Sequence, residues 1–189
     1  MNDETAALIS ERACERLVLD SAAHNDDRDW EALSALYTPD ARLVRPSGQM
    51  VNGNEAIEAS YRAGPVERRT RHVCTNIRVT LDNPDAASAT TLVLIYSWTE
   101  PTIGISNEPA VIGSPALGEF ADTFVRGSDG WRISARTARI LLPHDYLTWL
   151  LAGRPETAVT VRLDLIPAFR SRSTMASLRY SSPSTAIMP

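Results

Sequence analysis

The period of the apolar residues changes at Gly64-Pro65, and that change sets what this 189-residue chain can fold into. Upstream, Ile9, Ala13, Cys14, Leu17, Val18 and Ala22 recur at helical spacing and predict one long amphipathic helix ending near His24. Asp29 is a natural N-cap for a second, shorter helix with Trp30, Leu33, Leu36 and Tyr37 on one face, stopped by Thr38-Pro39-Asp40. Residues 41–45 and 49–51 read as a short hairpin around Pro46-Ser47-Gly48. Asn54 caps a third helix, in which Ile57 and Tyr61 stand one turn apart. Downstream, Val73, Ile77, Val79 and Leu81 form one face of a strand, with His72, Cys74, Asn76 and Arg78 on the other. Segments 87–98, 118–126 and 131–140 continue as strands, the last two joined by the turn Gly127-Ser128-Asp129-Gly130. Helices followed by an antiparallel meander make an α+β layout, a curved sheet wrapped round a helical layer.

Composition removes several function classes. With 43% hydrophobic and 22% charged residues the chain can bury a core, so disorder throughout is not expected. The net charge is -4, and no Lys/Arg stripe interleaved with aromatics supplies the footprint that nucleic acid requires. Met1-Asn2-Asp3-Glu4 is acidic where a secretory signal is basic, and no apolar run reaches membrane-spanning length. A cytoplasmic protein with no membrane partner is the expectation. Cys14 and Cys74 are too few for a disulfide framework or a Cys-rich metal site and read as buried small residues.

Among recognisable chemical motifs, a Gly-rich phosphate loop, His-Glu-x-x-His and Gly-x-Ser-x-Gly are all missing, so no cofactor is expected. His24-Asn25-Asp26 has the His-x-Asp spacing of a facial iron triad, with His144 as a distant third ligand. That motif belongs on a strand, and this one closes a helix, so no metal is expected. The Asp-rich helix end His24-Asn25-Asp26-Asp27-Arg28-Asp29-Trp30 and the strand holding His72 are the informative pair. A carboxylate facing an imidazole fixes its tautomer and stabilises the imidazolium formed when His takes a proton. Asp29 suits a cap and Asp27 a solvated position. Asp26 suits either a loop carboxylate binding backbone amides or the partner of His72.

The layout resembles a known family. The residues that carry the likeness are Asp-Asp-Arg-Asp-Trp-Glu-Ala-Leu (26–33), Tyr37-Thr38-Pro39-Asp40-Ala41, Gly53-Asn54-Glu55-Ala56-Ile57 and Thr70-Arg71-His72-Val73-Cys74-Thr75-Asn76. Over roughly residues 5–142 the chain is similar to the SnoaL-like branch of the nuclear transport factor 2-like superfamily. Those proteins include scytalone dehydratase, ketosteroid isomerase, limonene epoxide hydrolase, polyketide cyclases, lindane dehydrochlorinase and the non-catalytic small subunits of ring-hydroxylating dioxygenases. The resemblance implies a cystatin-like α+β barrel: a cone-shaped, curved antiparallel sheet whose N-terminal helices close an apolar pocket. It implies that Asp26, four residues before Trp30, and His72 match the helix-end Asp and the strand His of the dehydratase-like and dehydrochlorinase-like members. Leu17, Ser21, Trp30, Tyr37, Tyr61, Tyr96, Trp98, Phe120 and Phe124 are then expected to line the pocket, with Asn76 a donor to a substrate oxygen. No equivalent of the epoxide hydrolase Asp-Arg-Asp set is present, so epoxide opening is not expected.

The implied activity is a dehydratase-, cyclase- or isomerase-type lyase acting on a small hydrophobic, oxygenated substrate. The alternative is the small subunit of a larger oxygenase, or a ligand-binding module. A homodimer or homotrimer through the sheet is the implied assembly. Arg62, Arg68, Arg69 and Arg71 read as a solvated edge, or as a docking site for a carboxylate. Residues 99–117 are too long for a tight hairpin and suggest a lid. The family pattern covers a domain at 1–143. An extension at 144–170 follows, with a short helix at 145–151 or a bracing strand at 158–166, and then a Ser-rich, extended tail at 171–189.

Overall fold

Helix α1, Asp3–Asp27, buries Ser10, Cys14, Val18, Ser21 and Ala22 along one stripe, while Ile9 stays exposed. This computed structural model describes residues 3–99 and 115–142. All of them belong to the unit Met1–Gly153, and the unit Arg154–Pro189 lies outside them. Residues 100–114 of the expected lid, His144, the extension and the tail also lie outside the described residues, while Thr99 and Ala116 at the lid's ends belong to strands. Helix α2, Trp30–Ala35, starts where the Asp29 carboxylate accepts the Ala32 N–H. It ends before Tyr37, which opens strand β1, Tyr37–Val44. Pro39 lacks the N–H that a helix requires and has a φ compatible with extended chain, so the segment expected to stop the helix already belongs to the sheet.

Strand β2, Met50–Asn52, pairs antiparallel with β1, and helix α3, Asn54–Arg62, follows. Its N-cap is Gly53, not Asn54. Gly53 sits at φ 89 and donates its N–H to Ala41 O at 2.7 Å, a left-handed conformation that favours glycine. Four longer strands complete the sheet: β3, Arg68–Asn83; β4, Ala86–Thr99; β5, Ala116–Gly127; and β6, Gly130–Leu142.

Among the described residues the sheet is six-stranded and open, in the order β2-β1-β6-β5-β4-β3. The meander β3 to β6 is antiparallel throughout, but β1 runs parallel to β6, with Arg42 beside Ala135 and Val44 beside Thr137. An entirely antiparallel sheet is therefore corrected to a mixed one. Hairpins force neighbouring strands to alternate, whereas β1 reaches the last strand of the meander by way of α3, and a crossover can deliver either direction. The core fills the space between the helices and the sheet. Cys14 and Val18 of α1, Leu33 of α2 and Ile57 of α3 meet Tyr37, Leu43, Phe124 and Ile133 of the sheet. Each large apolar side chain buried there contributes roughly 1.5–3 kcal/mol.

Strand β3 carries a bulge between Thr75 and Arg78, with Asn76 at φ 51. The extra residue shifts the alternation by one, so His72 and Cys74 before it share the inward face with Ile77, Val79 and Leu81 after it. Val73, expected on the apolar face, is half exposed on the other side. This bulge turns His72 toward the helical layer.

Candidate active site

Asp26 lies in the last turn of α1, and the way that helix ends places its carboxylate. Arg28 takes φ 61, its N–H bonds to Asn25 O, and the Asp29 N–H reaches back to His24 O at 2.9 Å. This is a left-handed C-terminal stop with an arginine where glycine is usual. Nη1 of Arg28 donates to Pro65 O and Arg68 O, both at 3.0 Å, tying the helix end to the start of β3. Arg71 Nη1 donates to Asp26 O at 3.0 Å, a cation at the negative end of the helix.

Across this junction the Asp26 carboxylate is fully engaged. Oδ2 accepts the His72 backbone N–H at 2.8 Å, and Oδ1 accepts the Thr70 hydroxyl at 3.0 Å. His72 Nδ1 lies 2.6 Å from Oδ1, with the two side chains only 7% and 8% exposed. Burial pushes the Asp26 carboxyl up, but the hydrogen bonds from the His72 ring and amide and from Thr70 outweigh it and hold it below its ordinary value. An ionised carboxylate only accepts, so Nδ1 carries the proton and the lone pair of the neutral ring sits on Nε2. The other His-x-Asp reading loses its carboxylate, because Asp26 is committed to His72. Among the described residues no three His, Cys, Asp or Glu side chains gather in a metal-binding group.

Asp26 and His72 border a cavity of about 460 Å³. Of the pocket residues expected from the sequence, Trp30, Tyr61 and Phe120 line it. Trp30 and Tyr61 stack with centroids 5.7 Å apart, and the Phe120 ring lies 6.4 Å from that of His72. The others stand elsewhere. Tyr37 and Phe124, at 0% and 1% exposure, are in the core beneath the cavity wall, and Leu17 packs against that core. Tyr96 and Trp98 alternate with the lining residues Ile95 and Ser97, so they face away, and Arg71 covers the Trp98 ring. Asn76 is exposed at the bulge. Ser21 hydrogen-bonds Arg136 instead of lining the cavity.

Two sets of residues escaped the sequence reading. The first is a buried ion pair: Arg136 Nε and Nη2 donate to the two Asp122 oxygens at 2.7 and 2.8 Å. The guanidinium sits 4.4 Å from the Phe120 centroid, behind the cavity wall. Burial opposes the Arg136 charge, and Asp122 outweighs burial and keeps it protonated. The signal was present as a charged residue at an inward position in each of two adjacent strands. The second set is Arg28 and Arg45, which line the cavity beside Arg68. Of the arginines read as one cluster, only Arg68 belongs there; Arg62 pairs with Glu58 along α3. Burial pushes the Cys14 thiol up to about 11 and raises Cys74, so neither provides a thiolate nucleophile at neutral pH.

A model of the SnoaL-like domain matches residues 6–137. No curated protein matches the sequence. Solved structures do match. One is provisionally assigned as a scytalone dehydratase from Novosphingobium aromaticivorans, with 24% identity and TM-score 0.62 over 74% of this chain and 89% of that one. An NTF2-like protein with a cystatin-like fold from the same organism gives 23% identity and TM-score 0.59 over 73% and 86%. The LinA-type3 hexachlorocyclohexane dehydrochlorinase of Novosphingobium barchaimii gives 17% identity and TM-score 0.62 over 74% and 91%. At these identities the likeness is one of fold.

Proposed function

This chain belongs to the SnoaL-like domain family, and from that premise we propose that it is a lyase or isomerase whose base is His72. The observation that carries the reading is the 2.6 Å contact between His72 Nδ1 and Asp26 Oδ1 at the wall of a largely apolar cavity. Neutral His72 takes a proton at Nε2 from a substrate carbon made acidic by a neighbouring carbonyl or aromatic system. The imidazolium that results is stabilised by Asp26, which also prevents the ring from turning. The electron pair released from the C–H bond forms a double bond. Either a hydroxyl leaves from the adjacent carbon, collecting the proton and departing as water, or the proton returns at a different carbon and the double bond has moved. Neither course requires a cofactor.

The relatives support this chemistry by what they are described as, a dehydratase and a dehydrochlorinase, both of which remove H and a leaving group from neighbouring carbons. A buried carboxylate-imidazole pair at a cavity wall favours this reading over that of a non-catalytic oxygenase subunit. The test is a screen of hydroxylated polycyclic, steroid-like and aryl compounds for loss of water or a shifted double bond. The expected result is turnover of at least one compound by the parent and its loss in Asp26→Asn. Equal rates in parent and variant would remove the dyad from the reaction.

A further inference from the structure

The charges along the cavity do not balance. Among the described residues its lining contains three guanidinium groups, Arg28, Arg45 and Arg68, against one carboxylate, Asp26, whose oxygens are already taken by His72 and Thr70. None of the three arginines has a carboxylate partner among the described residues. Arg28 bonds to backbone carbonyls, and Arg68 donates to the Ser97 hydroxyl at 3.3 Å. Arg45 donates Nη2 to the Ser60 hydroxyl at 2.7 Å, while its Nε is buried without a hydrogen-bond partner. A buried N–H left unpaired is costly, and one on a charged group more so.

Arg136 shows what a guanidinium does with a carboxylate in this fold, its Nε and Nη2 holding both oxygens of Asp122. The aromatic wall is built to hold Arg45 in place. Its guanidinium lies 4.5 Å from the Tyr61 centroid, Tyr61 stacks on Trp30, and the Arg28 guanidinium lies 5.2 Å from the Trp30 centroid. A cation whose direction is fixed by stacking loses little freedom on meeting an anion.

We propose that this cavity binds an aryl or carbocyclic carboxylate, its ring against the Trp30–Tyr61 wall and its carboxylate on the Arg45 guanidinium, with Arg28 and Arg68 adding positive potential. The proposal rests on the cavity being the substrate site of the proton-transfer reading and names the substrate class for it: hydroxylated ring acids.

The experiment is equilibrium binding of hydroxynaphthoic acid and its primary amide, a matched pair of equal size, followed by tryptophan fluorescence and calorimetry. The parent, Arg45→Gln, Arg45→Lys and His72→Gln are compared at low and high salt. The acid is expected to bind about ten- to a hundredfold more tightly than the amide, as a charge-assisted pair contributes, with the preference shrinking in high salt. Arg45→Gln should abolish the preference, Arg45→Lys should retain part of it, and His72→Gln should retain it. A parent that binds the amide as well as the acid, or binds neither, overturns the proposal, as does a preference that survives in folded Arg45→Gln. Preference for the acid without turnover of any ring acid would leave the anion site standing and remove the proton-transfer reading; turnover of neutral compounds without the preference would do the reverse.

Discussion

The carboxylate of Asp26 holds His72 at two points, the ring through Nδ1 at 2.6 Å and the backbone N–H at 2.8 Å. The second contact makes Asp26 structural as well as chemical. In Asp26→Asn one of the two side-chain positions becomes an NH₂ group, which cannot accept the His72 N–H or the Nδ1–H. A buried donor is left unpaired, and the variant is expected to lose about 1–3 kcal/mol in urea denaturation. An Asn variant as stable as the parent would mean that the carboxylate bonds contribute nothing to the fold.

Stability should also depend on pH through this group. Asp26 titrates below its ordinary value in the folded protein, so its contribution is fully present above the unfolded pKa of about 3.9. It is lost as pH falls through the folded value, because the unfolded chain takes up the proton first. Chemical denaturation between about pH 5 and pH 2 is expected to show a smaller loss of stability in Asp26→Asn than in the parent. Parallel curves would place the acid sensitivity in other carboxylates.

The Asp122–Arg136 pair makes a prediction about single and double changes. Arg136→Met leaves Asp122, whose side chain is 0% exposed, as an uncompensated buried charge. The expected cost is about 3–5 kcal/mol in urea denaturation, with most of it recovered when Asp122→Leu is added. If the double variant is no more stable than the single one, the pair is not coupled as the geometry indicates.

Asn76 separates a backbone role from a substrate role. At φ 51 it is in the left-handed region, where Gly fits at no steric cost and a β-branched residue does not. Asn76→Gly should keep stability within about 1 kcal/mol, whereas Asn76→Val should cost about 1–2 kcal/mol and disturb the bulge that turns His72 inward. Turnover or ligand binding lost in a fully stable Asn76→Gly protein would restore Asn76 as a substrate contact.

Much of the site was legible because it is local. The end of α1 and the strand holding His72 each have short, distinctive sequences, and their meeting follows from the fold that those sequences resemble. What escaped depends on distant partners. The parallel pairing of β1 with β6 leaves no mark in either strand. The bulge at Asn76 is a property of the β3–β4 register, so alternation counted along β3 alone put His72 on the wrong face relative to Ile77. Tyr37 and Phe124 do point inward, but inward includes both core and cavity, and depth under the helices decides which. The arginines of the cavity come from the stop after α1, the turn after β1 and the start of β3, and no short window of sequence contains them together.

The most direct measurement is the rate of His72→Gln on a substrate that the parent turns over, with both proteins shown folded by thermal melting. Gln keeps the size and the hydrogen bond to Asp26 but cannot take up a proton. If His72 is the base, kcat should fall by about two to four orders of magnitude. A His72→Gln protein that keeps the full rate would contradict the account, leaving His72 as a packing residue at the cavity wall.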